Sequence, residues 1–153
     1  MTDKETIVRA FLADWSTGDE RKLADYFTED AVFQMMPRGD QVRGREAIHE
    51  DFKAQLSWCT DCAFEIIAFA VSGNTVFTER IDRMKITGAP VEVRVAGVFG
   101  VDDAGKLTAW RDYFDMNAVM TQLSAAGIGG DPQGPIPEGP GSQGSYTYEQ
   151  PGA

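Results

Sequence analysis

Two stretches decide the fold: Thr75-Val76-Phe77-Thr78-Glu79-Arg80-Ile81-Asp82-Arg83-Met84-Lys85 and Lys106-Leu107-Thr108-Ala109-Trp110-Arg111-Asp112-Tyr113-Phe114-Asp115. Both read as β-strands, in which side chains two apart point to one face. Arg80 and Asp82 therefore share a face with Val76, Thr78 and Met84. Trp110, Asp112 and Phe114 share another, with Leu107 or Ala109 nearby. A guanidinium and two carboxylates on otherwise apolar faces are costly unless they pair. The pattern predicts an Asp82–Arg80–Asp112 cluster with the arginine fork between the carboxylates. One arginine cannot neutralise two ionised aspartates, so one carboxyl is expected to keep its proton. An acid and a base then stand side by side in a dry pocket.

Outward from these strands, the period of two also runs through Ala63–Val71 and Val91–Val101. Ser72-Gly73-Asn74, Thr87-Gly88-Ala89-Pro90 and Asp102-Asp103-Ala104-Gly105 connect the four, and such short, turn-rich links predict an antiparallel meander. By the same alternation Met84, Val93, Val95 and Phe114 face inward. Upstream the spacing is helical. Thr2 and Glu5 have capping-box spacing, and Ile7, Val8, Phe11, Leu12 and Trp15 follow, with Gly18 as a stop. Asp19 is positioned to cap a second helix carrying Leu23, Tyr26 and Phe27. Ala31–Met36 reads as a strand, with Phe33 and Met35 inward and Gln34 pointing the other way. Arg38–Gly44 reads as a loop. Arg45–Trp58 reads as a third helix with Ile48, Phe52, Gln55 and Leu56 inward, and Asn117–Ala126 as a closing helix capped by Asp115. Helices followed by a long curved antiparallel sheet predict an α+β domain, the sheet wrapped around the helices as a cone with a deep apolar pocket for a small ligand. That domain spans residues 1–126. Residues 127–153 hold eight of the 16 glycines and five of the seven prolines. They read as a tail, able to lie on the surface through Tyr146 and Tyr148.

At 153 residues the chain is expected to form one domain with a real core. A net charge of −10 and a pI near 4.5 argue against nucleic acid or anionic membrane as partners. No apolar run approaches the roughly 20 residues of a membrane span. The polar start, Met1-Thr2-Asp3-Lys4-Glu5, has no signal-peptide core, so a cytoplasmic location is expected. Cys59 and Cys62 form a C-x-x-C pair. A redox motif would open a helix after a strand, whereas this pair falls at a helix end. Zinc would need two further ligands, and His49 is the sole histidine. The cysteines are read as structural thiols, with no metal and no cofactor. His49 is placed on the outer side of its helix, and Arg111, Tyr113 and Glu79 face away from the charged cluster.

The segments Val76–Asp82, Gly97-Val98-Phe99 and Gly105–Asp115 resemble limonene-1,2-epoxide hydrolase, within the cone-shaped fold shared by nuclear transport factor 2, ketosteroid isomerase and polyketide-cyclase-like proteins. The resemblance runs from about residue 3 to about 120 and is most specific over 76–115. It implies an Asp–Arg–Asp triad in which Arg80 and Asp82 supply the R-x-D arginine and acid. Asp112, directly after Trp110-Arg111, supplies the base. It further implies one-step opening of a small hydrophobic epoxide without a covalent intermediate or a metal, and a homodimer formed through the outer sheet face.

The chain departs from that family at Phe33 and Met35, which stand where the family has a tyrosine and an asparagine that hold the attacking water. Phenylalanine has no polar group and a thioether is a weak acceptor. Three arrangements stay open: water held by Asp112 and a backbone carbonyl, water held by Gln34 or Gln55, or a nucleophile that is a hydroxyl of the substrate itself. Epoxide-opening cyclases of polyether pathways share the general fold. A steroid-isomerase reading lacks its aspartate near Met35-Met36 and its tyrosine near Phe11. A non-catalytic binding module would keep the cavity with no need to bury an acid–base cluster. Trp110 either borders the pocket or fills the core, and Phe33, Met35, Met84, Val93, Val95 and Phe114 are the expected apolar walls of the substrate site.

Overall fold

A computed structural model describes residues 3–129; the expected tail from residue 130 onward, with Tyr146 and Tyr148, lies outside the described residues. Helix α1 (Lys4–Asp14) buries Val8, Phe11 and Leu12. Its N-cap is Asp3, whose carboxylate accepts from the Glu5 amide; Thr2, the expected capping-box residue, lies outside the described residues. A 3₁₀ turn (Trp15–Thr17) follows and ends at Gly18, whose φ of 66° supplies the left-handed stop. Asp19 caps the short α2 (Glu20–Ala24) through the Lys22 amide. The helix stops before Phe27, which opens strand β1 (Phe27–Met35) and does not belong to the second helix. The expected loop at 38–44 contains a short edge strand, β2 (Gln41–Arg43). Helix α3 (Arg45–Leu56) buries Ile48 and Phe52.

Four long strands complete the sheet: β3 (Cys59–Ser72), β4 (Thr75–Ile86), β5 (Ala89–Val101) and β6 (Leu107–Phe114). They pair as the expected antiparallel meander. Helix α4 (Met116–Ala125) closes the fold behind the Asp115 cap, whose side chain accepts from the Asn117 amide. The strand order is β2-β1-β6-β5-β4-β3. One pairing differs from a purely antiparallel sheet: β1 lies parallel to β6, with Phe33 opposite Trp110 and Met35 opposite Asp112. The CxxC pair opens β3, not the end of α3. Thr60 pairs with Lys85 and Ala63 with Arg83, so Asp61 and Cys62 bulge opposite Met84, with Asp61 at a φ of 52°.

Two apolar clusters divide the interior. The main core joins α1, the 3₁₀ turn and α3 to the concave face of the sheet, with Phe11, Trp15, Phe27, Phe33, Phe52, Phe99 and Trp110 buried in it. The second joins Val91, Val93 and Val95 of β5 to Val119 and Leu123 of α4, with Phe114 and Ile128 packed against it. Helix α3 crosses the concave face. It starts beside the β2 edge at Gly44, and beyond its end the Trp58 carbonyl accepts from the Thr87 amide in the β4–β5 turn. Among the described residues no helix is long and apolar enough to cross a membrane.

Candidate active site

Alternation on β4 and β6 does what the sequence requires of it: Arg80 is fully buried, and Asp82 and Asp112 are 4% and 6% exposed. Arg80 lies on β4 and Asp112 on β6, with β5 between them. The guanidinium reaches across. Nε and Nη2 donate to the two oxygens of Asp82 at 2.9 and 2.8 Å. Nη1 and Nη2 donate to the two oxygens of Asp112 at 3.2 and 2.7 Å. Nη1 also donates to the Thr78 hydroxyl at 3.3 Å. A guanidinium carries five N–H groups, and these five bonds use all of them. Such bidentate, charge-assisted pairing is what a buried arginine needs. The Phe64 ring of β3 lies beneath the guanidinium, 5.5 Å from its carbon.

The two carboxyls differ. Asp82 is pushed up from its ordinary 3.8 chiefly by burial and further by the charge of Asp112, against the opposing pull of Arg80. Asp112 accepts a further bond from the Trp110 indole, Nε1 to Oδ1 at 2.7 Å, so that three N–H groups converge on it. Burial would weaken the Arg80 cation, but Asp112 and Asp82 outweigh it and hold the proton more firmly than on an ordinary arginine. A carboxyl raised by burial and a carboxyl accepting three N–H bonds therefore stand on either side of one fixed cation.

Two contributors, Thr78 and Gly97, were not singled out from the sequence, and Trp110 takes a part not read there. Trp110 packs its rings in the core, one of the two readings left open for it, and its indole N–H joins the charged cluster through Asp112. Thr78 takes the fifth guanidinium donor. Gly97 on β5 pairs with Thr78 on one side and Asp112 on the other. A Cβ there would lie 2.4 Å from Arg80 Nη1, 2.8 Å from Thr78 Oγ1 and 2.9 Å from Asp112 Oδ1. The glycine is the gap through which the arginine reaches β6. A glycine that follows Val91, Val93 and Val95 on the inward face of the strand is the signal that marks it.

The expected apolar walls separate into two groups. Phe33 and Trp110 belong to the main core and Met35 packs against it; Val93 and Val95 lie with α4, and Phe114 packs there. Met84 borders both clusters. Gln34 is 8% exposed and its amide donates to the Gly39 carbonyl at 2.9 Å, tying down the loop after β1. Gln55 is half-buried on α3, and its Oε1 is fully buried without a hydrogen-bond partner among the described residues. Tyr113 and Glu79 are exposed, as alternation predicts. His49 is half-buried, with Nδ1 3.1 Å from Arg21 Nη2. The thiols of Cys59 and Cys62 are buried, with sulfurs 3.7 Å apart. The hydrogen bond between them, and then burial, pushes the Cys59 thiol up. Among the described residues no three His, Cys, Asp or Glu side chains are grouped as a metal site.

The chain matches the SnoaL-like domain family over residues 8–110, more than half its length, and belongs to that family. That match includes Arg80 and Asp82 and ends two residues before Asp112. Among curated proteins, a 52-residue segment is 46% identical to epoxide hydrolase EphG of Mycobacterium tuberculosis. The segment is 34% of this chain and 34% of that protein, so the chain spans about a third of the relative it matches. Among solved structures, an M. tuberculosis LEH-like epoxide hydrolase is 28% identical with a TM-score of 0.68, covering 78% of this chain and 88% of the other. The epoxide hydrolase/cyclase-like enzyme SalBIII is 22% identical with a TM-score of 0.66, covering 75% and 92%, and shares the fold. The sheet wrapped around N-terminal helices is thus the cone of the SnoaL-like and nuclear-transport-factor-2-like proteins, and the relatives include epoxide hydrolases and cyclases.

Proposed function

We propose that this protein is a hydrolase of small hydrophobic epoxides, working in one step through Asp82, Arg80 and Asp112. The observation that carries the reading is the Arg80 fork, which holds two buried carboxyls in one place while burial and Asp112 raise the pKa of Asp82. Asp112 takes a proton from the attacking water as its oxygen bonds to an epoxide carbon. The carbon–oxygen bond of the ring breaks, and Asp82 gives its proton to the departing oxygen. The product is a vicinal diol. Arg80 fixes both carboxyls, and Trp110 fixes Asp112 further. After turnover Asp112 carries a proton and Asp82 lacks one, and exchange with solvent restores both. Positioned acid and base groups of this kind contribute about 10²–10⁴-fold in rate. The likeness to the LEH-like epoxide hydrolase supports this reading. Phe33, Met35, Met84, Val93, Val95, Trp110 and Phe114 are the proposed walls of the substrate site.

A second reading is epoxide opening by a hydroxyl of the substrate, giving a cyclic ether. Phe33 and Met35 favour it, because they line the strand beside Asp112 with no strong acceptor for water. Turnover of a panel of hydrophobic epoxides in ¹⁸O-water separates the two. Labelled diol supports hydrolysis, unlabelled cyclic ether supports cyclisation, and tight binding without turnover refutes both in favour of a binding module. The proposal includes a cytoplasmic homodimer, with Phe77 and Tyr113 exposed on the outer sheet face. A monomer at micromolar concentration in sedimentation experiments would refute that assembly.

A further inference from the structure

Two buried polar atoms in the helical layer facing the sheet have no partner among the described residues: Gln55 Oε1 and Trp15 Nε1. An unpaired buried acceptor or donor destabilises a fold and is retained where something else benefits. Trp15 and the helix face that carries Gln55 pack against the side chains that support the charged cluster. Gln55 follows Phe52 by three residues and so shares its face of α3. Phe52 packs against Trp110 at 6.0 Å and against Trp15 at 5.0 Å, measured between ring centroids. Trp15, only 2% exposed, packs in turn against Trp110 at 5.7 Å and against Phe64 at 5.8 Å. Trp110 donates to Asp112, and Phe64 underlies Arg80. Because α3 runs from the β2 edge to the β4–β5 turn, it crosses the strands that carry Asp112 and Asp82. The alternative holder, Gln34, is engaged with the Gly39 carbonyl.

We infer that Gln55 and Trp15 form a polar subsite that holds the nucleophilic oxygen, replacing what Phe33 and Met35 lack. The inference rests on the epoxide-opening reading above. A water has two O–H groups and two lone pairs. One O–H donates to Asp112 and the other to Gln55 Oε1. One lone pair accepts from the Trp15 indole, and the other is left directed at the epoxide carbon. A substrate hydroxyl fits the same subsite with its single O–H donated to Asp112.

The test compares the parent with Gln55→Met, which keeps length and volume, and Trp15→Phe, which keeps a ring. Removing an unpaired buried acceptor leaves the melting temperature equal or raises it. Hydrolysis of cyclohexene oxide by Gln55→Met falls about 10²-fold in kcat with KM little changed, the effect of a misplaced nucleophile. The ¹⁸O label, confined by the parent to one carbon of an unsymmetrical epoxide, spreads over both. Parental kcat and regiochemistry in Gln55→Met overturn the inference. So does a lower melting temperature, which would show that the amide has an internal partner. A second readout is affinity for trans-cyclohexane-1,2-diol relative to cyclohexane. The parent prefers the diol, and Gln55→Met and Trp15→Phe each lose about fivefold of that preference, the worth of one hydrogen bond. If the parent opens no epoxide, the proposed function fails, yet the diol preference still decides the subsite: its loss in the variants sustains the subsite and its retention overturns it.

Discussion

Gly97→Ala puts the charged cluster under a defined load. The added Cβ would meet Arg80 Nη1 at 2.4 Å, Thr78 Oγ1 at 2.8 Å and Asp112 Oδ1 at 2.9 Å, where ordinary contact begins at 3.4 Å. Nη1 must therefore retreat by about 1 Å. It has nowhere favourable to go, because all five guanidinium donors are committed and the side chain is fully buried. The retreat breaks its bonds to Asp112 Oδ1 and Thr78. Hydrogen bonds to charged groups are worth about 1.5–3 kcal/mol each and overpacking costs about 1–3 kcal/mol, so a loss of about 3–5 kcal/mol of stability is expected after partial relaxation. Moving the base carboxyl by a comparable distance lowers epoxide turnover by about 10²-fold. Urea denaturation reads the first effect and kcat the second. Gly100→Ala is the matched control. Its Cβ would lie 2.4 Å from Thr108 Oγ1, but that hydroxyl turns on a single bond and takes no part in the cluster. The control should lose less stability and keep its activity. Parental stability together with parental turnover in Gly97→Ala would refute the idea that the glycine is the passage for Arg80.

The remaining expectations concern the cluster, the thiols and the strand beside Asp112. Asp112→Asn and Asp82→Asn should each fold and be nearly inactive; near-parental turnover by Asp112→Asn would sink the assignment of the base. Arg80→Ala should be inactive and less stable by about 3–5 kcal/mol in thermal or urea melts, because it leaves buried carboxylates unpaired. Burial raises Asp82 above 3.8, so the fold favours its protonated form. Its contribution to stability is then complete below pH 3.8 and lost as pH rises through the folded value. Stability of Asp82→Asn relative to the parent should accordingly improve as pH rises over that window, and parental turnover should decline along the same limb; a trend of opposite sign would contradict the acid role. Replacing Cys59 and Cys62 with alanine should leave kcat intact, and loss of activity in a folded variant would make a thiol part of the chemistry. Phe33→Tyr with Met35→Asn should leave hydrolysis no faster, because Asp112, Gln55 and Trp15 already engage the water; a rise, non-additive between the two changes, would place the water at positions 33 and 35 instead.

The charged cluster was legible because a period of two fixes faces, and three charges on apolar faces leave pairing as the stable outcome. The meander was legible because its turns are short. Gly97 was legible in principle. In a meander the Val91–Val101 strand must lie between the Arg80 and Asp112 strands, so a guanidinium spanning them needs a position without a side chain. The helix ends were less legible. Phe27 continues the helical spacing of Leu23, yet the Leu107 amide bonds to the Tyr26 carbonyl and Phe27 pairs with Leu107 in the sheet. Tertiary pairing there overrides local periodicity. The Gln41–Arg43 edge strand follows from pairing as well, since it exists only against Val32–Gln34.

The parallel placement of β1 against β6 could not be read from spacing, because it joins segments about 75 residues apart with the whole meander between them. Its consequence reaches the chemistry. It sets Phe33 on Trp110 at 4.8 Å between ring centroids, with the planes 33° apart, while Phe99 stacks on the same indole at 5.8 Å and 12°. Held by both rings, the indole directs Nε1 at Asp112 Oδ1. Phe33 is therefore more than a missing hydroxyl. It is one jaw of a clamp that fixes the orientation of Asp112, the proposed base, through Trp110. Phe33→Tyr keeps the ring and so the clamp, whereas Phe33→Ala removes one jaw. Phe33→Ala should then lower kcat beyond what lost core packing explains, and Trp110→Phe, which removes the N–H itself, should lower kcat in the same way. The two effects combined should fall short of their product, because a clamp cannot orient a donor that is absent. A full product of the two losses would show that Phe33 acts on the site by another route.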